Sequence, residues 1–126
     1  MRLVVDTSVL IDHLRGNLTA RQALLDAMAG EARLCSSVVV KVELLAGMRR
    51  AEEHRTRRLL EVLDWIPVDD EIAEHAGLLA NRYLRSHPGV DPVDYIIAAT
   101  VQRLDAVLWT RNLKHFPMFP DLVSPY

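Results

Sequence analysis

The sequence predicts an α/β protein, a three-layer α/β/α sandwich with a central parallel sheet, on three observations. The chain opens with a continuous apolar run from Leu3 to Val5, which is typical of a strand covered by helices on both faces. Short apolar stretches then alternate with helical patterns along the whole chain. No internal repeat, low-complexity tract or linker interrupts the pattern, so we expect one domain over residues 1–126.

Two helices are predicted after the first strand. The first begins beyond Asp6 and runs to about Arg15, because Gly16-Asn17 is a common helix end. The second begins at the capping-box spacing that starts at Thr19, and its apolar residues recur at helical period until Gly30.

The middle of the chain is predicted to hold a strand, an ambiguous segment and a surface helix. Arg33 to Ser36 indicate a brief strand. The four valines of residues 37–47 favour a strand by propensity, whereas Ser37 is a typical N-cap and Gly47 a typical helix end. We predict a helix from Ser37. Residues 51–64 are heavily charged except for Leu59, Leu60 and Leu63 on one face, which is typical of a surface helix.

Two further helices and three strands complete the prediction. One helix begins at Asp69-Asp70 and ends near His87, and the other has Asp91 as its N-cap and a nearly all-apolar, buried body. Residues 65–68 indicate a short strand near a sheet edge, since Pro67 cannot donate to a ladder. Residues 106–109 indicate a fourth strand, and Leu122-Val123 a last edge strand.

Composition limits the classes of function. The net charge of −2 provides no global field for a polyanion, so nucleic-acid binding would need a local patch or bound cations. Cys35 is the only cysteine, which excludes an intrachain disulfide and a four-cysteine zinc site and fits a reducing cytosol. No signal peptide is visible and no apolar run approaches the ~20 residues of a membrane span, so we expect a cytoplasmic protein without membrane association.

Five polar residues stand at the carboxyl ends of the strands or in the helices that follow: Asp6, Glu43, Asp94, Thr110 and Asn112. In a parallel sheet these ends share one edge, where ligands bind. Three carboxylates that converge there repel one another unless a cation lies between them. Oxygen ligands without cysteine or histidine favour Mg²⁺ or Mn²⁺, which commonly assist chemistry on phosphate substrates.

Plainer interpretations remain open for the same carboxylates. Asp6 and Asp94 also fit helix caps, although Asp91 is the better candidate for the second cap. Glu43 fits a solvent-facing helix residue, but its apolar neighbours in sequence suggest that its carboxylate needs a partner. Asp12 is predicted to lie away from the site, at the surface or hydrogen-bonded to a basic residue.

Other charged and aromatic residues receive secondary predictions. His115 and Phe116 are expected to pack rather than to take part in catalysis. Residues 41–58 contain six basic and three acidic residues, an excess that suits RNA phosphates, an ordinary charged face or the docking of an acidic partner. The candidate phosphate contacts are Arg49, Arg50, Arg55, Arg57 and Arg58.

Four stretches of the chain, in this order, resemble the motifs of a known family. They are Val4-Val5-Asp6-Thr7-Ser8 with Leu10-Ile11-Asp12, Glu43-Leu44 with Gly47, Asp94-Tyr95-Ile96-Ile97-Ala98-Ala99-Thr100, and Thr110-Arg111-Asn112 with His115-Phe116. Together they span the chain from end to end. The chain resembles PIN-domain ribonucleases, and among them the VapC-type toxins of bacterial type II toxin–antitoxin pairs.

The resemblance implies a PIN fold that cleaves single-stranded or loop RNA with Mg²⁺ or Mn²⁺, through water attack that leaves 5′-phosphate and 3′-hydroxyl ends. It implies that Asp6, Glu43 and Asp94 position the metal and the attacking water. The family's fourth polar position, often aspartate, carries over to Asn112. We expect this poorer ligand to hold a water, with Thr110 beside it, which puts a second fully bound metal in doubt.

The resemblance also implies partners, and it favours a helix for the valine-rich segment. The implied partners are a cognate antitoxin, an RNA substrate and a second copy of the chain. Operator DNA would be contacted only through the antitoxin.

Two other classes of function are considered beside the nuclease. A receiver or phosphatase domain also has an aspartate after its first strand, but it needs a second acidic residue close by or a late lysine, for which Arg111 and Lys114 are weak substitutes. A PIN-fold module that binds RNA or protein with weak catalysis is the main alternative, and Asn112 is compatible with it.

Overall fold

The structure is a computed structural model that describes all residues from Met1 to Tyr126. The strands are β1 (Arg2–Val5), β2 (Arg33–Ser37), β3 (Asp64–Ile66) and β4 (Val107–Trp109). The helices are α1 (Thr7–Leu14), α2 (Leu18–Ala29), α3 (Val38–Ala46), α4 (Glu53–Val62), α5 (Asp70–Tyr83) and α6 (Pro92–Leu104), with short 3₁₀ turns at Arg50–Glu52 and Leu113–His115.

The four strands form one parallel sheet in the order β3-β2-β1-β4. Leu3, Val4 and Val5 of the central strand β1 are all buried. Because successive side chains of a strand point to opposite faces, their burial shows that both faces of the sheet are covered. The α/β/α fold predicted from the sequence is confirmed.

The register of β1 and β4 brings the ends of these two strands together. Val5 pairs with Trp109, and the main-chain N–H of Asp6 donates to the Trp109 carbonyl oxygen at 2.9 Å. Asp6 and Thr110, the residues that follow the two strands, therefore lie side by side at the carboxyl edge of the sheet, although they are far apart in sequence.

The valine-rich segment is a helix, as predicted, despite its strand propensity. Ser37 caps α3 and accepts a hydrogen bond from the Val39 main-chain N–H at 3.3 Å. Val40 and Leu44 face the core, while Val42 is 66% exposed. Capping and the burial of one helix face outweigh the β propensity of valine here.

Three predicted boundaries are wrong by a few residues, and one of them is the end of α5, which lies at Tyr83 and not near His87. Asn17, not Thr19, caps α2, and its side-chain oxygen accepts from the Ala20 N–H at 2.9 Å. Asparagine is as good an N-cap as threonine, and the helix begins at the first position where a cap is available. The charged helix predicted over residues 51–64 begins as a 3₁₀ turn and ends at Val62, because Asp64 already pairs in β3.

The predicted edge strand at Leu122-Val123 is also wrong. This segment has no regular structure, and Val123 is 75% exposed. β4 is therefore one edge of the sheet, and β3 is the other, as predicted from Pro67. The side chain and main-chain oxygen of Tyr126 hold the final segment against α1 and the loop after β4.

The core has two parts. A large cluster surrounds the sheet, and a smaller one lies between α5 and α6, with Ile72, Ala76, Val90, Tyr95 and Ala99. The smaller cluster anchors the start of α6, which is buried along most of its length as predicted. None of the helices has the length and apolar character needed to cross a membrane.

Candidate active site

Asp6 is both a helix cap and a buried carboxylate at the sheet edge. Its side chain is buried, and Oδ1 accepts a hydrogen bond from the Thr7 N–H at 2.7 Å, which caps α1. Oδ2 accepts from the hydroxyls of Thr110 at 2.6 Å and Ser8 at 3.2 Å. The two interpretations of Asp6 are compatible, because each oxygen has its own set of donors.

Thr110 fixes the loop after β4 to Asp6. Its side chain is fully buried, and its hydroxyl also accepts a hydrogen bond from the Asn112 N–H at 3.0 Å. The main-chain N–H of Arg111 donates to the Ser8 hydroxyl at 3.0 Å. The loop is thus positioned by hydroxyl groups that also orient the Asp6 carboxylate.

Asp94 lies in the first turn of α6 and is largely buried. It forms a capping box with Asp91, in which each main-chain N–H donates to the other's carboxylate at 3.2 Å. The prediction that Asp91 is the cap is confirmed, and Asp94 takes part in the same motif. His115 Nδ1 lies 3.2 Å from Asp94 Oδ2.

Burial raises the pKa of Asp94 to about 6. This raised pKa also includes smaller effects: the Asp91 main-chain N–H and the charge of His115 lower it, and the negative charges of Asp91 and Asp6 raise it. Asp6 and Asp94 are therefore close enough for their charges to interact. Such repulsion between buried carboxylates is typical of sites that bind a cation.

Glu43 lies further out from the buried carboxylates Asp6 and Asp94 than expected. It lies on α3 with an exposed side chain, and its Oε1 accepts a 2.6 Å hydrogen bond from the Thr7 hydroxyl. The partner expected for this carboxylate is thus a hydroxyl on α1. No three side chains of histidine, cysteine, aspartate or glutamate are placed so that they could hold one metal ion, so the expected three-carboxylate cage is absent from this structure.

Asn112 is exposed at the same edge, and only its main chain forms hydrogen bonds: the N–H donates to the Thr110 hydroxyl and the carbonyl oxygen accepts from the His115 N–H. Its side chain is free to contact a water or a substrate. The role expected for it stays a prediction.

A family model described as PIN domain matches residues 3–117 of the chain. This chain belongs to the PIN-domain family. It is 43% identical to Ribonuclease VapC19 of Mycobacterium tuberculosis over 98% of both chains, and 44% identical to Ribonuclease VapC10 of the same species, over 98% of this chain and 92% of the other. A toxin–antitoxin complex from Klebsiella pneumoniae contains a similar chain, with a TM-score of 0.80, 32% identity and coverage of 100% and 98%.

The donors of this PIN domain suit a hard divalent cation. Asp6 and Asp94 offer carboxylate oxygens, and no cysteine or histidine other than His115 contacts them. Mg²⁺ keeps several waters and needs only one or two carboxylates from the protein. The site therefore fits Mg²⁺ through Asp6 and Asp94, with Glu43 linked to Asp6 by Thr7.

The structure corrects two predictions about neighbouring residues. Phe116 packs in the core as predicted, but His115 does not, because the 3₁₀ turn before Phe116 directs its ring towards Asp94. Asp12 accepts a 2.7 Å hydrogen bond from the Tyr126 hydroxyl and has no basic partner. Neither contact has a local signal, since each joins residues more than 20 positions apart in sequence.

The five arginines considered for phosphate contact do not share one location. Arg49 lines a cavity of about 70 Å³ together with Glu43. Arg55 and Arg58 line a larger groove between α1, α2 and α4. Arg50 is exposed in the 3₁₀ turn before α4, and Arg57 pairs with Glu53 on the surface of α4. Of these, Arg49 is the one placed beside a candidate catalytic residue.

Proposed function

We propose that this PIN domain is a metal-dependent endoribonuclease that acts as the toxin of a toxin–antitoxin pair. The observation that carries the proposal is the burial of two carboxylates, Asp6 and Asp94, whose charges interact at the carboxyl edge of the sheet. Relatives named Ribonuclease VapC and the similar chain in a toxin–antitoxin complex support it.

Asp6 and Asp94 would hold Mg²⁺, and Mn²⁺ is an alternative with the same ligand preference. A divalent cation at these oxygens supplies positive charge that neutralises the attacked phosphate and activates water. Thr110 and Ser8 keep one Asp6 oxygen in place, and the helix cap keeps the other. The carboxylates are therefore oriented before a ligand arrives, which lowers the cost of binding.

Glu43 and Asn112 flank this pair and would orient the attacking water. Glu43 is itself oriented by Thr7, and Asn112 is held through its main chain by Thr110. The proposed reaction adds water to the phosphorus atom and breaks the bond to the 3′ oxygen. The products are a 5′-phosphate and a 3′-hydroxyl, and the proton of the water passes to the leaving oxygen or to solvent.

The antitoxin is proposed to dock in the groove between α1, α2 and α4. The groove has a volume of about 500 Å³, and Leu25, Met28 and Val62, each about half exposed, lie along it. Arg21, Arg55 and Arg58 line the same groove, and Arg21 and Arg55 contribute, after burial, to the lowered pKa of His13. A helix with one apolar face and acidic flanks is complementary to this surface.

A homodimer and contact with operator DNA through the antitoxin remain predictions of the proposed function. A PIN-fold binding module with weak catalysis is the alternative, and the exposed position of Glu43 is the observation that favours it.

Cleavage of tRNA and ribosomal RNA by the purified protein tests the proposal, with Mg²⁺, with Mn²⁺ and with a chelator. Metal-dependent cuts that disappear in Asp6→Ala and Asp94→Ala support the nuclease. Binding without cuts in any metal supports the module.

In cells, expression of the toxin should arrest growth and co-expression of its antitoxin should restore it; normal growth with folded protein would contradict the toxin role.

A further inference from the structure

Arg111 is attached to one face of α1 at two points. Its main-chain N–H donates to the Ser8 hydroxyl at 3.0 Å. Its guanidinium group lies over the Tyr126 ring, 4.5 Å from the centroid, and Nη1 donates to the main-chain oxygen of Tyr126 at 2.6 Å. The Tyr126 hydroxyl donates to Asp12 at 2.7 Å. Ser8 and Asp12 are four residues apart, so they lie on the same face of the helix.

Tyr126 binds two groups of opposite charge, Arg111 and Asp12. Its ring and main-chain oxygen bind Arg111, while its hydroxyl binds Asp12. Burial, followed by the bond to Asp12, raises the pKa of Tyr126, so the hydroxyl remains a neutral donor around pH 7. Arg111 makes no ion pair with a side-chain carboxylate.

The Arg111 guanidinium group is thus oriented, and most of its donors remain available. Arg111 is exposed, and only one of the five N–H donors of its guanidinium group forms a hydrogen bond within the protein. Its main chain is two hydrogen bonds from the Asp6 carboxylate, through Ser8. A cation oriented on the loop that contacts Asp6 suits a polyanion, in a chain whose net charge of −2 provides no general attraction for one.

We propose that Arg111, oriented by Tyr126 and Asp12, binds an RNA backbone phosphate next to the one that is cleaved. This rests on the proposed nuclease function. Arg111 is a substrate-binding residue, and Tyr126 is a positioning residue that holds the guanidinium group. The bound group is a phosphate diester of the RNA backbone, so the contact is independent of base sequence.

The test is the binding of fluorescently labelled tRNA in the presence of a chelator, so that the metal-dependent cut does not occur. Anisotropy is measured from about 50 to 200 mM salt, the range over which phosphate contacts are lost. The variants are Arg111→Ala, Arg111→Lys, Tyr126→Ala and Tyr126→Phe. Arg82→Ala is the matched control, because Arg82 is also exposed and lies over a tyrosine ring, that of Tyr83, on α5.

Arg111→Ala should weaken binding about tenfold at low salt, as expected for a charged hydrogen bond, and reduce the salt slope by about 0.7. Arg111→Lys should keep the slope with intermediate affinity, since lysine retains the charge without the planar fork. Both Tyr126 variants should weaken binding in the same direction, Tyr126→Phe less than Tyr126→Ala.

Unchanged affinity and slope in folded Arg111→Ala would overturn this inference while leaving the nuclease intact. An equal loss in Arg82→Ala would overturn it too, because the effect would then be one of general charge. If the unmodified protein neither binds nor cleaves RNA, the proposed function fails and this inference fails with it. Thermal unfolding of each variant identifies losses of affinity that result from loss of the fold.

Discussion

The hydroxyl of Thr110 donates a 2.6 Å hydrogen bond to Asp6 Oδ2 across 104 residues of sequence. The bond joins the ends of two neighbouring parallel strands and is fully buried on the Thr110 side. It makes the orientation of a candidate metal ligand depend on the loop after β4.

Replacing Thr110 by valine should lower both stability and activity. The change removes the shortest hydrogen bond from a hydroxyl to the buried Asp6 carboxylate. We expect this to lower the free energy of unfolding by about 1–3 kcal/mol. Thr100→Val is the control, because the fully buried Thr100 hydroxyl donates only to the Ile96 carbonyl oxygen within α6. Urea unfolding and cleavage rates are measured for both; equal losses of activity would contradict a special role for Thr110.

Asp94→Asn should abolish metal-dependent cleavage while the fold is retained. The amide oxygen can still accept the capping bond from Asp91, but the negative charge that would bind the cation is lost. We expect a loss of at least ~100-fold in kcat/KM together with weaker Mg²⁺ binding in calorimetry. Asp91→Asn alters the same capping box and should keep most activity. Full cleavage by Asp94→Asn would remove Asp94 from the site.

Activity and metal binding should rise with pH around pH 6, because the raised pKa of Asp94 keeps part of this carboxyl protonated below that value. His115→Ala should shift the inflection to higher pH, since the charge of His115 lowers the pKa of Asp94. Metal affinity is measured from about pH 5 to 8 in the natural chain and in His115→Ala. An inflection that moves to lower pH in the variant would contradict the prediction.

The same pKa predicts the pH dependence of stability in the metal-free protein. A carboxyl whose pKa is higher when folded, about 6 against 3.8, binds its proton more tightly in the native state. Its contribution therefore destabilises the fold as the pH rises from about 4 through 6. The difference in unfolding free energy between the natural chain and Asp94→Asn should change across that window, and a constant difference would contradict the shift.

Tyr95→Phe should leave the fold as stable as before or more stable, by up to about 1 kcal/mol. The Tyr95 hydroxyl is buried between α5 and α6 without a hydrogen-bond partner, so its removal ends an uncompensated desolvation cost. Tyr126→Phe should have the opposite effect and destabilise the fold, because it deletes the hydrogen bond to Asp12. Denaturant midpoints of the two variants should move in opposite directions or differ clearly.

Val62→Asp should weaken antitoxin binding at least ~10-fold and leave RNA cleavage unchanged. The valine is half exposed along the apolar groove, and a carboxylate there would be desolvated by a bound helix. Leu78→Asp is the control, since Leu78 is also exposed but lies on α5. Calorimetric titration with the antitoxin compares the two variants. Equal affinities of Val62→Asp and Leu78→Asp for the antitoxin would show that it binds elsewhere.

Local signals in the chain were sufficient for most of the architecture. Three kinds of signal act over only a few residues, so their structural effects can be predicted without a structure. They are the apolar run of β1, the caps at Ser37 and Asp91, and Pro67 beside an edge strand. Asp6, Asp94 and Thr110 were predicted to meet because parallel strands end on one edge, and register then placed Asp6 beside Thr110.

Long-range packing decided the remainder. The Thr7 hydroxyl beside Glu43, the ring of His115 beside Asp94, and Tyr126 between Arg111 and Asp12 all depend on how distant segments close over the sheet. The failure of Leu122-Val123 to form a strand has the same origin, because Tyr126 ties this segment to α1 and the loop after β4 instead of to the edge of β4. Side-chain contacts between segments far apart in sequence have no local pattern, since their energy exists only once the chain is folded.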